Sequence, residues 1–157
     1  MVDNRDLMFL RKAIAVAKES RAEGNHPFGA LLVSADGSVL MEQGNDAQSG
    51  DRTAHAERVL MSRASLAYPR DVLAHCTMYS SAEPCAMCAG AAYWVGLGRV
   101  VYGLSERALK ALIGPHPENL TMDFPCRQIF LSGQRTTEVI GPLIEKEAET
   151  VHFGFWS

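Results

Sequence analysis

The chain has 157 residues, 47% of them hydrophobic, enough to bury a core without disulfide staples. Fifteen Lys and Arg against eighteen Asp and Glu leave a net charge of −3, so the chain as a whole does not attract a phosphate backbone, and the balance favours a small substrate over a nucleic acid. Asp3, Arg5 and Asp6 precede the first apolar residues and no apolar run approaches about 18 residues, which predicts a single cytoplasmic domain over residues 1–157 with no signal peptide and no membrane span.

Residues 5 to 22 place Leu7, Leu10, Ile14 and Ala17 at helical spacing between charges, predicting an amphipathic helix that covers a sheet. Gly24-Asn25-His26-Pro27 breaks it. Ala30 to Val33 and Val39 to Met41 flank Ala35-Asp36-Gly37-Ser38, a hairpin pattern with Asp-Gly at its turn. A polar loop from Asp46 to Arg52 leads to a second helix that carries His55 in its first turn, capped by Thr53 or Asp51, and runs to about Leu66 before Tyr68-Pro69-Arg70 stops it. Cys76 to Ser80 reads as a third strand, and Ala86 to Val95 as a helix so apolar all round that it must be buried, in part against a partner subunit. Arg99 to Gly103 is a fourth strand, parallel to the third across that helix. Gln128 to Leu131 is a candidate fifth strand and Leu143 to Val151 a last helix. The alternation predicts an α/β fold, a three-layer αβα sandwich with helices on both faces of a mixed sheet.

The chemistry concentrates in Pro84-Cys85-Ala86-Met87-Cys88. A proline suits the first turn of a helix, and two cysteines three positions apart then lie one turn apart on one face. A helix start favours thiolates, and two sulfurs suit zinc. His55, thirty positions before Cys85, offers a third ligand. A His and two Cys leave one tetrahedral position for water, the pattern of a catalytic rather than a structural zinc site. A noncatalytic zinc module needs a fourth protein ligand, and His26, His75, His116 and His152 stand at no ligand spacing. Hydrolysis at an open site needs a proton carrier beside the water, and Glu57 is placed for it. Cys76 and Cys126 read as free thiols in a reducing compartment.

Pro27-Phe28-Gly29-Ala30, Gly44-Asn45, His55-Ala56-Glu57 and Pro84-Cys85-Ala86-Met87-Cys88, in this order, resemble the cytidine deaminase-like superfamily, over roughly residues 5 to 104. Within it the chain is most similar to the nucleobase and tRNA-adenosine deaminases. The resemblance implies a Zn2+ cofactor, a homodimer and a small-molecule base as substrate together with water. It implies that Asn45 hydrogen-bonds the base and that backbone N–H groups near Ala56 and Cys85 steady an oxygen. Phe28 is either core or a stacking surface for a flat ring. Glu83 either accepts from a backbone group or orients the metal ligands. Beyond Leu104 the tRNA-adenosine branch carries a Lys-Thr-Gly-type loop that this chain lacks, which counts against tRNA. In small guanine and cytosine deaminases an acidic residue of this region reads the base, and Glu118 and Asp123 are the candidates here. Phe153-Gly154-Phe155-Trp156 is either a lid, with Phe155 and Trp156 over the base, or a tail anchored in its own core. The expected activity is hydrolytic deamination of a free base, guanine ahead of cytosine. The alternatives are tRNA adenosine editing and a noncatalytic zinc-binding protein.

Overall fold

The first helix, α1 (Asn4–Ala22), starts at a capping box in which the Asp3 carboxylate accepts from the Asp6 N–H and the Asp6 carboxylate accepts from the Asp3 N–H. The computed structural model describes residues 2–157. Strands β1 (Gly29–Val33) and β2 (Val39–Gly44) form the expected hairpin. Helix α2 (Ala56–Ala67) and a short α3 (Arg70–Leu73) lead to β3 (Thr77–Ala82), α4 (Ala86–Val95) and β4 (Arg99–Leu104). The sheet runs β2-β1-β3-β4-β5, with β1 antiparallel to both neighbours and β3, β4 and β5 mutually parallel.

Strand periodicity builds two cores from one sheet. On one face Leu31 and Val33 of β1 meet Tyr79, Val101 and the α1 residues Phe9, Leu10 and Ala13. On the other, Ala30 and Leu32 meet Met78, Val100, the α2 residues Leu60 and Met61, and Ala89 and Ala92 of α4. Helices therefore cover both faces of a mixed sheet, as expected. The buried stripe of α1 includes Leu10 and Ala17 but runs through Phe9 and Ala13, leaving Leu7 and Ile14 half-buried. Gly29 lets β1 press against α1, for a Cβ there would stand 2.5 Å from the Ala17 nitrogen and 2.6 Å from the Ala13 oxygen.

The C-terminal third departs from expectation. Residues 128–131, expected as a strand, lie in helix α6 (Cys126–Leu131), and the fifth strand is β5, Glu138–Ile140. Gln128-Ile129-Phe130-Leu131 offers one apolar run that fits either element, and Phe130 is buried beneath α4 in helical form. Helix α5 (Glu106–Ile113) begins at Ser105, whose hydroxyl accepts from the Ala108 N–H. The expected last helix is a short α7 (Glu145–Ala148) continued as a 3-10 turn, Glu149–His152. Helix α4 buries Cys88, Ala89 and Ala92 but leaves Trp94 77% exposed, so the expectation of burial all round fails for the isolated chain. No helix among the described residues is long and apolar enough to cross a membrane.

Candidate active site

Two helix starts converge beyond the carboxyl ends of β2 and β3, beside the amino end of β1. His55 is itself the N-cap of α2, in extended conformation, where Thr53 or Asp51 was expected. This resolves a geometric conflict, because residues two apart in a helix diverge by about 200° around its axis. With His55 outside the helix and Glu57 in its first turn, both reach one cavity. Cys85 likewise caps α4, with Pro84 one residue before the cap rather than inside the helix, and Cys88 follows one turn later.

His55 Nδ1 stands 3.5 Å from Cys85 Sγ and 3.6 Å from Cys88 Sγ, and the two sulfurs are 3.7 Å apart. Zinc at about 2.05 Å from nitrogen and about 2.3 Å from sulfur places tetrahedral donors about 3.6 and 3.8 Å apart. The donor set fits that ion in both chemistry and spacing, with no fourth His, Cys, Asp or Glu in the group among the described residues. The Cys88 thiol bonds to Cys85 and, together with the His55 ring and against the effect of burial, lowers Cys85 to a pKa of about 4, so Cys85 is the first thiolate of the pair.

Glu57 is buried, and that burial raises its carboxyl to about 7. Its carboxyl bonds to no other described residue, only to its own backbone N–H, and it lines a cavity of about 730 Å³ with His55 and Cys85. Asn45 lines the same cavity; its Oδ1 accepts from the Ala47 N–H at 2.8 Å and the His26 N–H at 3.3 Å, so its amide NH2 is the end left for a ligand. Phe28 is both a pocket wall and part of the core. Ala56 is fully buried and outside the lining.

Of the two acids nominated beyond Leu104, Glu118 lines the cavity, with Oε1 3.5 Å from His26 Nε2. Asp123 does not line it and pairs with Arg107 at 3.3 Å. Phe155 and Trp156 are also outside the lining. Trp156 is packed behind the wall, 5.1 Å from His26 and 6.2 Å from Phe28 between ring centroids, with Nε1 donating to His152 Nδ1 at 3.1 Å. The tail braces the pocket from outside, which corrects the reading of Phe155 and Trp156 as a lid over the base.

Glu83 is buried and accepts from the Glu106 N–H at 2.9 Å and the Cys126 N–H at 2.8 Å, tying the starts of α5 and α6 to the end of β3. The backbone-accepting reading of Glu83 therefore holds. Sequence reasoning missed Glu106, which is buried and lines the cavity. A signal for it existed: Ser105-Glu106 directly follows a parallel strand, and α/β sites open at the carboxyl ends of such strands.

Residues 3–104 match the family described as the cytidine and deoxycytidylate deaminase zinc-binding region. The chain is 40% identical over 155 residues to a probable cytosine deaminase of Schizosaccharomyces pombe, covering 99% of this chain and 94% of that protein. It is 41% identical over 96 residues to the guanine deaminase of Bacillus subtilis, covering 60% of this chain and 61% of that protein. A solved structure from work on A-to-I editing by tRNA:A34 deaminases superposes with a TM-score of 0.68 at 27% identity, covering 92% of this chain and 99% of that one.

Proposed function

Because the chain belongs to the family of the cytidine and deoxycytidylate deaminase zinc-binding region, whose relatives are hydrolytic deaminases acting on C–N bonds, we propose that it deaminates a free nucleobase with release of ammonia. The observation that carries this reading is the cover of the cavity. Pro117 to Met122 line one side, and the 3.5 Å contact of Glu118 Oε1 with His26 Nε2 links that segment to the loop after α1. A flat base fits such a space, and the net charge of −3 gives no funnel for a polynucleotide.

His55, Cys85 and Cys88 would hold the zinc ion, which supplies a Lewis acid that acidifies water. Glu57 takes the proton of the attacking water and delivers it to the ring nitrogen beside the amino-bearing carbon. Water adds to that carbon, and Glu57 then takes the remaining hydroxyl proton of the adduct and passes it to the departing amine, so that ammonia leaves as the carbonyl forms. A buried carboxyl that no other side chain engages suits this shuttle, since no second acid or base competes for the proton it carries. Asn45 offers its NH2 to a carbonyl or ring nitrogen of the base and Phe28 a ring face or edge.

Pro27-Phe28-Gly29-Ala30 is similar to the matching segment of guanine deaminases, but its Gly29 answers to close packing on α1 and so does not place guanine ahead of cytosine. The cover of the pocket lies beyond Leu104, and a relative 40% identical across it is the probable cytosine deaminase, so we rank cytosine first and guanine second. Ammonia release from cytosine, guanine, cytidine and an anticodon stem-loop tests the reading. Turnover of a free base with none of the stem-loop is expected. Editing of the stem-loop with every free base untouched would overturn it in favour of the tRNA activity for which the neighbouring structure was studied.

A further inference from the structure

A second cavity, of about 320 Å³, lies between α6, β5 and the turn that joins them, and it shares no lining residue with the active-site cavity. Arg127 and Arg135 line it, and no Asp or Glu does. Arg127 donates to the Tyr102 hydroxyl at 3.0 Å and to the Gly141 and Val139 carbonyls at 2.7 and 3.4 Å. Arg135 donates to the Leu97 and Tyr93 carbonyls and to the Thr137 hydroxyl. All these acceptors are neutral, and neither arginine forms an ion pair among the described residues. The bonds therefore orient two half-buried cations without neutralising either, and like charges gathered in one partly desolvated space are unfavourable until an anion joins them. Each guanidinium, with five N–H groups, also keeps its Nε–H and one Nη–H undonated. Both forks are held in place: the Tyr102 ring lies 5.8 Å from the Arg127 guanidinium carbon and the Tyr93 ring 5.1 Å from that of Arg135. The Gln134 N–H donates to the Tyr93 hydroxyl at 3.1 Å, which fastens the turn to α4.

We propose that this cavity is a second ligand site, which binds a small phosphate monoester with the phosphate bridging Arg127 and Arg135. A phosphate monoester carries close to two negative charges at neutral pH, which matches the two uncompensated cations where a single carboxylate would leave one over. Guanidinium forks with free N–H groups suit its oxygens, and the ordered forks lose little freedom on binding. Phe130 and Leu131 add apolar surface for the organic body, and Gln134 and Thr136 add polar groups. The volume is at the lower end of the roughly 300–1,000 Å³ of small-molecule sites, which suits a pentose phosphate and excludes a polynucleotide. The site stands apart from the free-base reading, since none of its residues touches the metal ligands or Glu57 in its own cavity.

Calorimetry of the zinc-loaded full chain with ribose 5-phosphate tests this. One saturable site per chain is expected, with a dissociation constant below about 1 mM, and ribose alone should not bind. Arg127→Gln should weaken the ester at least about tenfold, the scale of a lost charge-assisted contact. Because Arg127 also holds β4 and the turn after β5, a second variant leaves the packing alone. Thr136 is exposed and its side chain bonds to nothing among the described residues, so Thr136→Glu should melt as the wild type does while adding a carboxylate that competes for the guanidinium groups. It should weaken the ester by at least about tenfold too. Inorganic phosphate that binds as tightly as the ester upholds phosphate recognition and assigns the site to the free ion. Chloride that displaces the ester at equal concentration leaves a site for an adventitious ion only, and the inference fails. It fails as well if the wild-type chain binds no ester, if ribose binds as tightly, or if Thr136→Glu keeps the affinity within about threefold, which would place the phosphate on the zinc ion or elsewhere.

Discussion

His55 and Glu57 are two positions apart, and the start of α2 separates their tasks: the cap residue turns its ring toward the two sulfurs, while the first-turn carboxyl stays clear of them. Ligand and proton carrier can therefore be removed independently. Cys88→Ser should abolish the stoichiometric zinc expected of the wild type and lower the melting temperature, since Cys88 and His55 tie α4 to α2. Glu57→Gln should keep about one zinc per chain and the wild-type melting temperature yet lose roughly a thousandfold in kcat, within the span ascribed to acid–base groups. Metal analysis, thermal melts and ammonia release separate the two. Zinc loss in Glu57→Gln, or activity within tenfold of wild type, would show that the carboxyl has another task.

Among the elements, α1 is fastened at its start by a buried acid. Asp6 Oδ1 accepts from the Tyr79 hydroxyl and from Arg99 Nη1, both at 2.7 Å, and Oδ2 accepts from Arg99 Nη2 at 2.8 Å, so one carboxylate joins α1, β3 and β4. Burial raises its pKa, but the bonds from Arg99, Tyr79 and the Asp3 N–H prevail and hold it at about 2 against 3.8 for a free Asp. A depressed folded pKa means stability that is fully present above the unfolded value and is lost as pH falls through the folded one. The shift corresponds to about 2 kcal/mol at neutral pH. Asp6→Asn should therefore unfold about 2 kcal/mol more easily in urea at neutral pH. The difference from wild type should shrink as pH falls from 3.8 toward 2. A difference that stays constant through that window would disprove the linkage. This network also marks the limit of what the sequence reveals. The hairpin, α2, β3, α4 and β4 are legible because each has local signals, and the metal triad because its residue types and spacing have one good use. Asp6 with Tyr79 and Arg99, or Glu83 with Glu106 and Cys126, joins residues tens of positions apart, and no period or cap predicts such pairs. The same holds for Trp156, whose aromatic bulk suggested a cover over the base although it packs on His26 and Phe28 from behind.

For the whole molecule, the unresolved balance is on the outer side of α4. The helix Ala86–Val95 contains no charged residue, and a solvent-facing helix normally has a polar stripe opposite its core side. Trp94 is 77% exposed and Met87 37%, while Leu131 of α6, the helix packed beside α4, is 83% exposed. Large apolar side chains gathered on adjoining elements mark an association surface. We propose that a second copy of the chain covers it, since a twofold contact buries the same face on both partners and leaves no apolar surface over. The contact would bear on the site, because Met87 also lines the cavity and Cys88 is the next residue along α4. Light scattering at micromolar concentration should give twice the chain mass of 17.1 kDa. Trp94→Lys should raise the dissociation constant at least about tenfold, as expected when a charge replaces a central aromatic anchor. That variant should keep its helical circular dichroism, because Trp94 supports nothing in the core of its own chain. A wild-type chain that scatters as a monomer, or a Trp94→Lys dimer as tight as the parent, would place the interface elsewhere or remove it.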